Sequence, residues 1–312
     1  MFAATAAVVL SSCSNDEEVS EQPAPETGKT ITVSAYVPGR TRSASEAGYT
    51  DLTDYGFYLF AYDAKDVNDP VIEGAHYVFS TGTSVSGSSD ELTTVGSWAE
   101  EEGTTYTWPS YSLMFTGIYI PDPETGDIQG VETGDGQLYL SVDGSQDVLL
   151  ASAVAASSDN DGTVNLTFNH ILAKIAFEVA CTDTLNYRCS VSNLTLNAPH
   201  FATYNLVEGS LSVDDEPVSF DCFNATNASF DSKLVFASDS ISFAITYDIY
   251  DAEGSINTSG TKEGYISGIQ AGYVNTVKFN LSPASSSNIN VSVARVSDWS
   301  ATSSEVDIKG DE

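Results

Sequence analysis

Apolar and polar residues alternate strictly over many short stretches of the chain. In "TITVSAYV" at 30–37, Ile31, Val33, Ala35 and Val37 share one face, and Thr30, Thr32, Ser34 and Tyr36 the other. "SISFAITYDIY" at 240–250 places Ile241, Phe243, Ile245, Tyr247 and Ile249 on one face. "VKFNL" does the same with Val277, Phe279 and Leu281, and "INVSV" with Ile289, Val291 and Val293. Period two over runs this short marks half-buried antiparallel strands. "TDYGFYLFAYD" at 53–63 is a denser, aromatic strand. Turn signals punctuate the runs: "TGDG" at 133–136, "SDNDG" at 158–162 and "DAEG" at 251–254. No stretch of useful length has helical spacing with caps. The pattern predicts an all-β chain, and 312 residues, at a prior of ~150 per domain, predict two antiparallel β-sandwiches.

The alternation changes phase once. In "TVNLTFNHILAKIAFEV", Val164, Leu166, Phe168 and His170 hold even positions, whereas Ile171, Ala173, Ile175, Phe177 and Val179 hold odd ones. A slip of one residue turns every side chain to the other face. Either a bulge lies here or the strand passes from one sheet to another. The domain boundary is placed here, giving an N-terminal sandwich at 29–169 and a C-terminal one at 170–312.

The first residues are of a different kind. The apolar run at 2–10 is far shorter than the ~18 residues of a membrane-spanning helix, and matches the apolar core of a signal peptide. Leu10-Ser11-Ser12-Cys13 resembles a bacterial lipobox, in which Cys13 would be acylated, and "SNDEE" after it looks like the acidic surface-export signal of Bacteroidota lipoproteins. No Lys or Arg precedes the apolar run, so the true start is expected upstream. Residues 1–12 are read as signal peptide and 13–28, acidic with Pro23 and Pro25, as a flexible tether.

Charge narrows the partners. With 44 acidic and 11 basic residues the formal charge is −33, which repels nucleic acid and anionic lipid headgroups. Beyond that it serves solubility. Besides Cys13 there are Cys181, Cys189 and Cys222. Cys181 and Cys189 flank "TDTLNYR" between two strand-like runs. They either form a disulfide across a hairpin, as export permits, or are small buried residues. No Cys/His cluster has zinc spacing, and no metal or cofactor is expected.

The order of several loose motifs carries a family resemblance. "DVLLASA" at 147–153 followed by "VNLTFNHILAKIAFEV" is similar to the core signature of the fimbrillin-like proteins of Bacteroidales, the subunits of major and minor fimbriae. The lipobox at Cys13, "VPGRTRSAS", "DYGFYLFAYD", "GIQAGYVNTVKFNL" and "VSDWS" fit in sequence order. The resemblance implies two transthyretin-like sandwiches and travel to the outer membrane as a lipoprotein. It also implies removal of the N-terminal segment by an arginine-directed protease, then polymerisation with other pilus subunits by strand exchange. Palmitate at the anchor, a place on the fimbrium and adhesion to a host or bacterial surface receptor follow from the same resemblance.

The residues bear on this separately. Arginine occurs only at Arg40, Arg42, Arg188 and Arg295. Two of these lie in "PGRTRS", composed like an exposed, cleavable loop, directly after the strand of Ile31, Val33, Ala35 and Val37. A cut at Arg40 or Arg42 would detach lipid, tether and strand together. The counterpart is the C-terminal segment 289–308. Ile289, Val291 and Val293 either fill a groove on another subunit or complete the chain's own second sandwich, and the choice separates stalk from tip.

Enzyme chemistry is not expected. His170 has no catalytic partner in sequence and reads as a structural histidine near the junction. His76 and His200 are isolated, with no nucleophile motif nearby. "DNDG" lacks the spacing of a calcium loop and reads as a tight hairpin turn, with weak calcium binding open. Trp98, Trp108 and Trp299 fill cores or line a carbohydrate site. The alternative to a polymerising subunit is a permanently anchored surface lipoprotein, a pilus tip or glycan-binding module. An envelope hydrolase working through a carboxylate pair comes third.

Overall fold

Alternation becomes a strand wherever one face has a core to cover, and the chain does this along most of its length. The computed structural model describes residues 28–37, 52, 56–63, 65, 70–85, 92–120, 131–134, 136–157, 159–206, 208–239, 241–283 and 289–296. The first half supplies β1 (Thr32–Tyr36), β2 (Phe57–Asp63), β3 (Pro70–Val85), β4 (Leu92–Glu100), β5 (Leu113–Tyr119), β6 (Val131–Gly134), β7 (Gln137–Ser141), β8 (Leu149–Ala155), β9 (Thr163–Thr167) and β10 (Asn169–His170). The next strands are β11 (Ala173–Cys181), β12 (Arg188–Pro199), β13 (Phe201–Asn205), β14 (Ser210–Val213), β15 (Pro217–Asp221) and β16 (Phe223–Asn224). The last are β17 (Ser229–Phe230), β18 (Lys233–Val235), β19 (Ile241–Tyr250), β20 (Ile256–Ile266), β21 (Val274–Leu281) and β22 (Ile289–Val296).

A six-stranded sheet, β10-β8-β5-β2-β3-β4, forms the centre of the first half. Both of its faces are covered. Phe57, Leu59 and Ala61 of β2 and Leu113 and Phe115 of β5 look into a first core, closed on the far side by β1 and β9. Phe60, Tyr62, Ile118 and Ile120 look into a second. Double coverage explains why "FYLFAYD" reads as a dense apolar run without polar alternation.

The second half stacks sheet β18-β11-β21-β22 on sheet β15-β12-β19-β20. Their inner faces meet in a third core that includes Ile175, Leu194, Leu196, Phe243, Ile245, Val277 and Phe279. The Phe243 and Phe279 rings meet edge to face, centroids 5.0 Å apart. Here the period-two pattern holds residue by residue, with Ile241, Phe243, Ile245, Tyr247 and Ile249 all buried.

Three features depart from the sequence reading. The pairing is not uniformly antiparallel: β1 runs parallel to β9, and β11 parallel to β21. Parallel partners need a long crossover, and these pairs are joined by most of a half each, so no local signal marks them. "DNDG" is not a hairpin turn either. Asp159–Gly162 is a 3-10 turn carrying the chain from β8 in the central sheet to β9 in another. The third feature is a sheet common to both halves. β7 pairs with β13 over five positions, from Phe201↔Ser141 to Asn205↔Gln137, in the four-stranded sheet β14-β13-β7-β6. Leu138 and Leu140 of the first half and Ala202 and Tyr204 of the second are buried together against the central sheet.

The phase change near His170 is a change of sheet. β10 pairs with β8 in the central sheet, and β11, beginning at Ala173, pairs with β18 and β21. His170 Nδ1 lies 2.7 Å from Asp147 Oδ2, both side chains largely buried, and ties the crossing point to the turn before β8.

Candidate functional site

The feature that brings the sequence-predicted residues together is the first strand and the groove that holds it. β1 is the partner of β9 along its whole length, from Thr32↔Thr163 to Tyr36↔Thr167. The ladder is extended at its end by the Phe168 N–H, which donates to the Tyr36 carbonyl at 2.8 Å. At its start, the Ile31 N–H donates to the Tyr106 carbonyl at 2.9 Å and the Trp108 N–H to the Lys29 carbonyl at 2.8 Å. On the solvent side the hydroxyls of Thr32 and Thr163 lie 2.8 Å apart.

Inward, Ile31, Val33 and Val37 are buried and Ala35 is half-buried, all against the first core. The remainder of the groove comes from Val164, Leu166 and Phe168 on the β9 side. Its floor is shaped by Gly117 of β5: a Cβ there would stand 2.5 Å from Phe168 Cζ and 3.2 Å from Leu166 Cδ1. Trp108 closes one end, its indole N–H donating to the Gly162 carbonyl at 3.1 Å. Sequence reasoning named the strand but not this receiving surface, because its parts lie far apart in the chain.

Cys13, Arg40 and Arg42 lie outside the described residues, as does Trp299. In the sequence Arg40 comes three positions after Val37, the last buried residue of the segment. At the other end of the chain, Ile289, Val291 and Val293 are half-buried against the third core. They belong to β22, which pairs antiparallel with β21 from Leu281↔Ile289 to Val274↔Val296. The C-terminal strand thus sits on its own sandwich, at a sheet edge.

Cys181 and Cys189 are joined by a disulfide that links the end of β11 to the start of β12. Cys222 is free and buried. Burial pushes its thiol up to about 12, opposed by Lys233 and reinforced by Asp221 and Asp231. Since the thiolate is the reactive form, Cys222 of the folded protein is expected to resist iodoacetamide at pH 8 and to react on denaturation; rapid labelling of the folded chain would show the site open.

Two of the histidines, His76 and His170, hold structural contacts. His76 Nδ1 lies 2.8 Å from Glu101 Oε2 and its ring stacks on Tyr58. Among the described residues no group of three His, Cys, Asp or Glu side chains is placed to hold a metal ion. Trp98 packs on Phe57 and Phe79, and Trp108 is buried on Phe115. The exposed aromatic that sequence reasoning passed over is Tyr265, 75% exposed. Its signal is a tyrosine on the solvent face of β20, next to the buried Ile266.

Comparison with known proteins agrees with this architecture. The fold is similar to the crystal structure of a fimbrial protein from Bacteroides vulgatus, with TM-score 0.52 and 14% identity over 86% of this chain and 99% of that one. It is also similar to a candidate cell adhesion protein from Bacteroides uniformis, with TM-score 0.50 and 17% identity over 87% and 98% of the two chains. No curated protein matches the chain. The model of the fimbrillin-like family matches residues 57–299, beginning at the first residue of β2 and leaving β1 upstream. A match over most of the length settles the affiliation: the chain belongs to the fimbrillin-like family.

Proposed function

We propose that the protein is a cell-surface pilus subunit, exported as a lipoprotein through Cys13, cut at Arg40 or Arg42, and polymerised by strand exchange in support of adhesion. The observation that carries this reading is the attachment of β1. Among the described residues it is the sole ladder partner of β9, it supplies buried side chains to the first core, and its covalent route to β2 runs through the segment containing both arginines. A cut there leaves β1 held only by non-covalent contacts. Once it departs, β9 has an open edge beside an apolar groove, a site suited to β-strand addition. The donor is the 289–308 segment of another subunit, whose Ile289, Val291 and Val293 repeat the spacing of Ile31, Val33 and Ala35. The outer membrane is then a temporary address, and the fimbrium the final one.

The seat of β22 on β21 favours a second reading, in which the C-terminal strand stays home and the protein is a tip or anchored module. Brief treatment of residues 14–312 with an arginine-specific protease separates the two. N-terminal sequencing that finds Thr41 or Ser43, with sedimentation showing growth into polymers, is the expected result. A chain that is cut and stays monomeric, or resists the cut, would exclude the stalk role.

A further inference from the structure

A cleft of about 750 Å³ opens on the outer face of the second sandwich, far in sequence from the β1 groove. Its walls come from β12, β14, β15, β19, β20, the loops before β15 and β19, and the loop after β20. Asn197 and Ser242 form a polar floor, joined by an Asn197 Nδ2 hydrogen bond to Ser242 Oγ at 3.1 Å. Asp215 and Asp239 line the cleft, Ile269 adds an apolar surface, and Tyr265 contributes its exposed ring. Ser242 is the cross-strand neighbour of Tyr265, so a small residue stands where a large one would cover the ring.

We propose that this cleft binds a neutral glycan. A hexose has an apolar C–H face that suits an open tyrosine ring, with the amphipathic balance such rings offer. Its hydroxyls need both acceptors and donors. The carboxylates of Asp215 and Asp239 accept, the Asn197 amide and Ser242 hydroxyl can do either, and hydrogen bonds to ionised carboxylates are the stronger kind. None of the described lining residues is cationic. Together with a chain charge of −33, this disfavours sialylated, sulfated and phosphorylated ligands. The cleft volume lies within the usual range for small-ligand sites. A cationic peptide could pair with the carboxylates and is the competing occupant in the test below, and a donated strand would seek a sheet edge instead of this face.

The test uses the uncut, unassembled chain, so its failure leaves the assembly reading untouched. Saturation-transfer NMR is run with lactose, maltose, cellobiose, mannobiose and N,N′-diacetylchitobiose, followed by titration calorimetry on any that respond. Transfer to ring C–H protons of at least one neutral disaccharide is expected. Tyr265→Ala should weaken that binding about tenfold, the loss of one aromatic contact, while Tyr265→Phe retains most of it. Asp239→Asn should weaken it too, and adding a sialic acid to a bound lactose should lower affinity. Because Tyr265 is exposed, thermal melting should not change with its substitution. No response from any of the five sugars, a response indifferent to Tyr265→Ala, or preferential binding of trilysine at this cleft would overturn the proposal.

Discussion

A chain that begins after Arg42, lacking β1, is expected to lose about 5 kcal/mol or more of stability, and to recover it when a peptide of residues 29–37 is added. Three buried side chains, Ile31, Val33 and Val37, leave with the strand. Each contributes about 1.5–3 kcal/mol when fully buried, and chain compactness in the unfolded state trims such sums. The ladder to β9 and the bonds from residues 28–31 to 106–108 are lost as well. The truncated groove then exposes Val164, Leu166 and Phe168 to water. A loss of this size is comparable with the whole margin of many domains, so the vacated groove must be refilled for the protein to persist. Urea unfolding followed by circular dichroism checks this: the midpoint should fall on truncation and rise with peptide concentration, as ligand linkage requires. A peptide carrying Val33→Asp should fail, since it would bury an unpaired carboxylate. An unchanged midpoint on truncation would mean that β1 is an ornament on the first core, and strand exchange at this groove would lose its driving force.

How much of this was readable follows from the distance over which each feature is encoded. Strand faces were legible because alternation is local: Ile241 to Ile249 needs only its own neighbours to be read. The phase flip around His170 was legible for the same reason, although sequence left a bulge and a change of sheet both open. The nearness of Cys181 and Cys189 was readable because eight positions separate them, although sequence left the bond itself open. The parallel pairing of β1 with β9 was not legible. Its partners are about 130 positions apart, for example Thr32 and Thr163, and Ile31, Val33, Ala35 and Val37 would alternate identically against any edge. The cleft at Tyr265 was hidden because four separate segments between 197 and 269 assemble it. The tyrosine that marks it looks in sequence like any other strand aromatic.

The sheet common to both halves yields the second large expectation. Although the chain changes sheet between His170 and Ala173, fragments 29–169 and 170–312 are not expected to fold apart. β7 has β6 on one side and β13 on the other, so separation leaves an unpaired ladder on each fragment. It also uncovers Leu138 and Leu140 on one piece and Ala202, Tyr204 and Leu206 on the other, all buried in the intact chain. Leu140→Ala, a substitution in the first half, should cost about 2–5 kcal/mol as a cavity in a fully packed site. Because the shared core couples the halves, that cost should appear in the second half too. Amide exchange read across β12 and β13 in the full chain should accelerate with Leu140→Ala, and one cooperative unfolding transition should remain. If the 170–312 fragment alone protects β12, β13 and β19 as the intact chain does, the halves are autonomous and the shared sheet is only a docking contact. If it does not, the middle sheet is a structural brace that the second sandwich needs in order to fold, and under the proposed strand exchange it would hold the cleft together when β1 leaves the first.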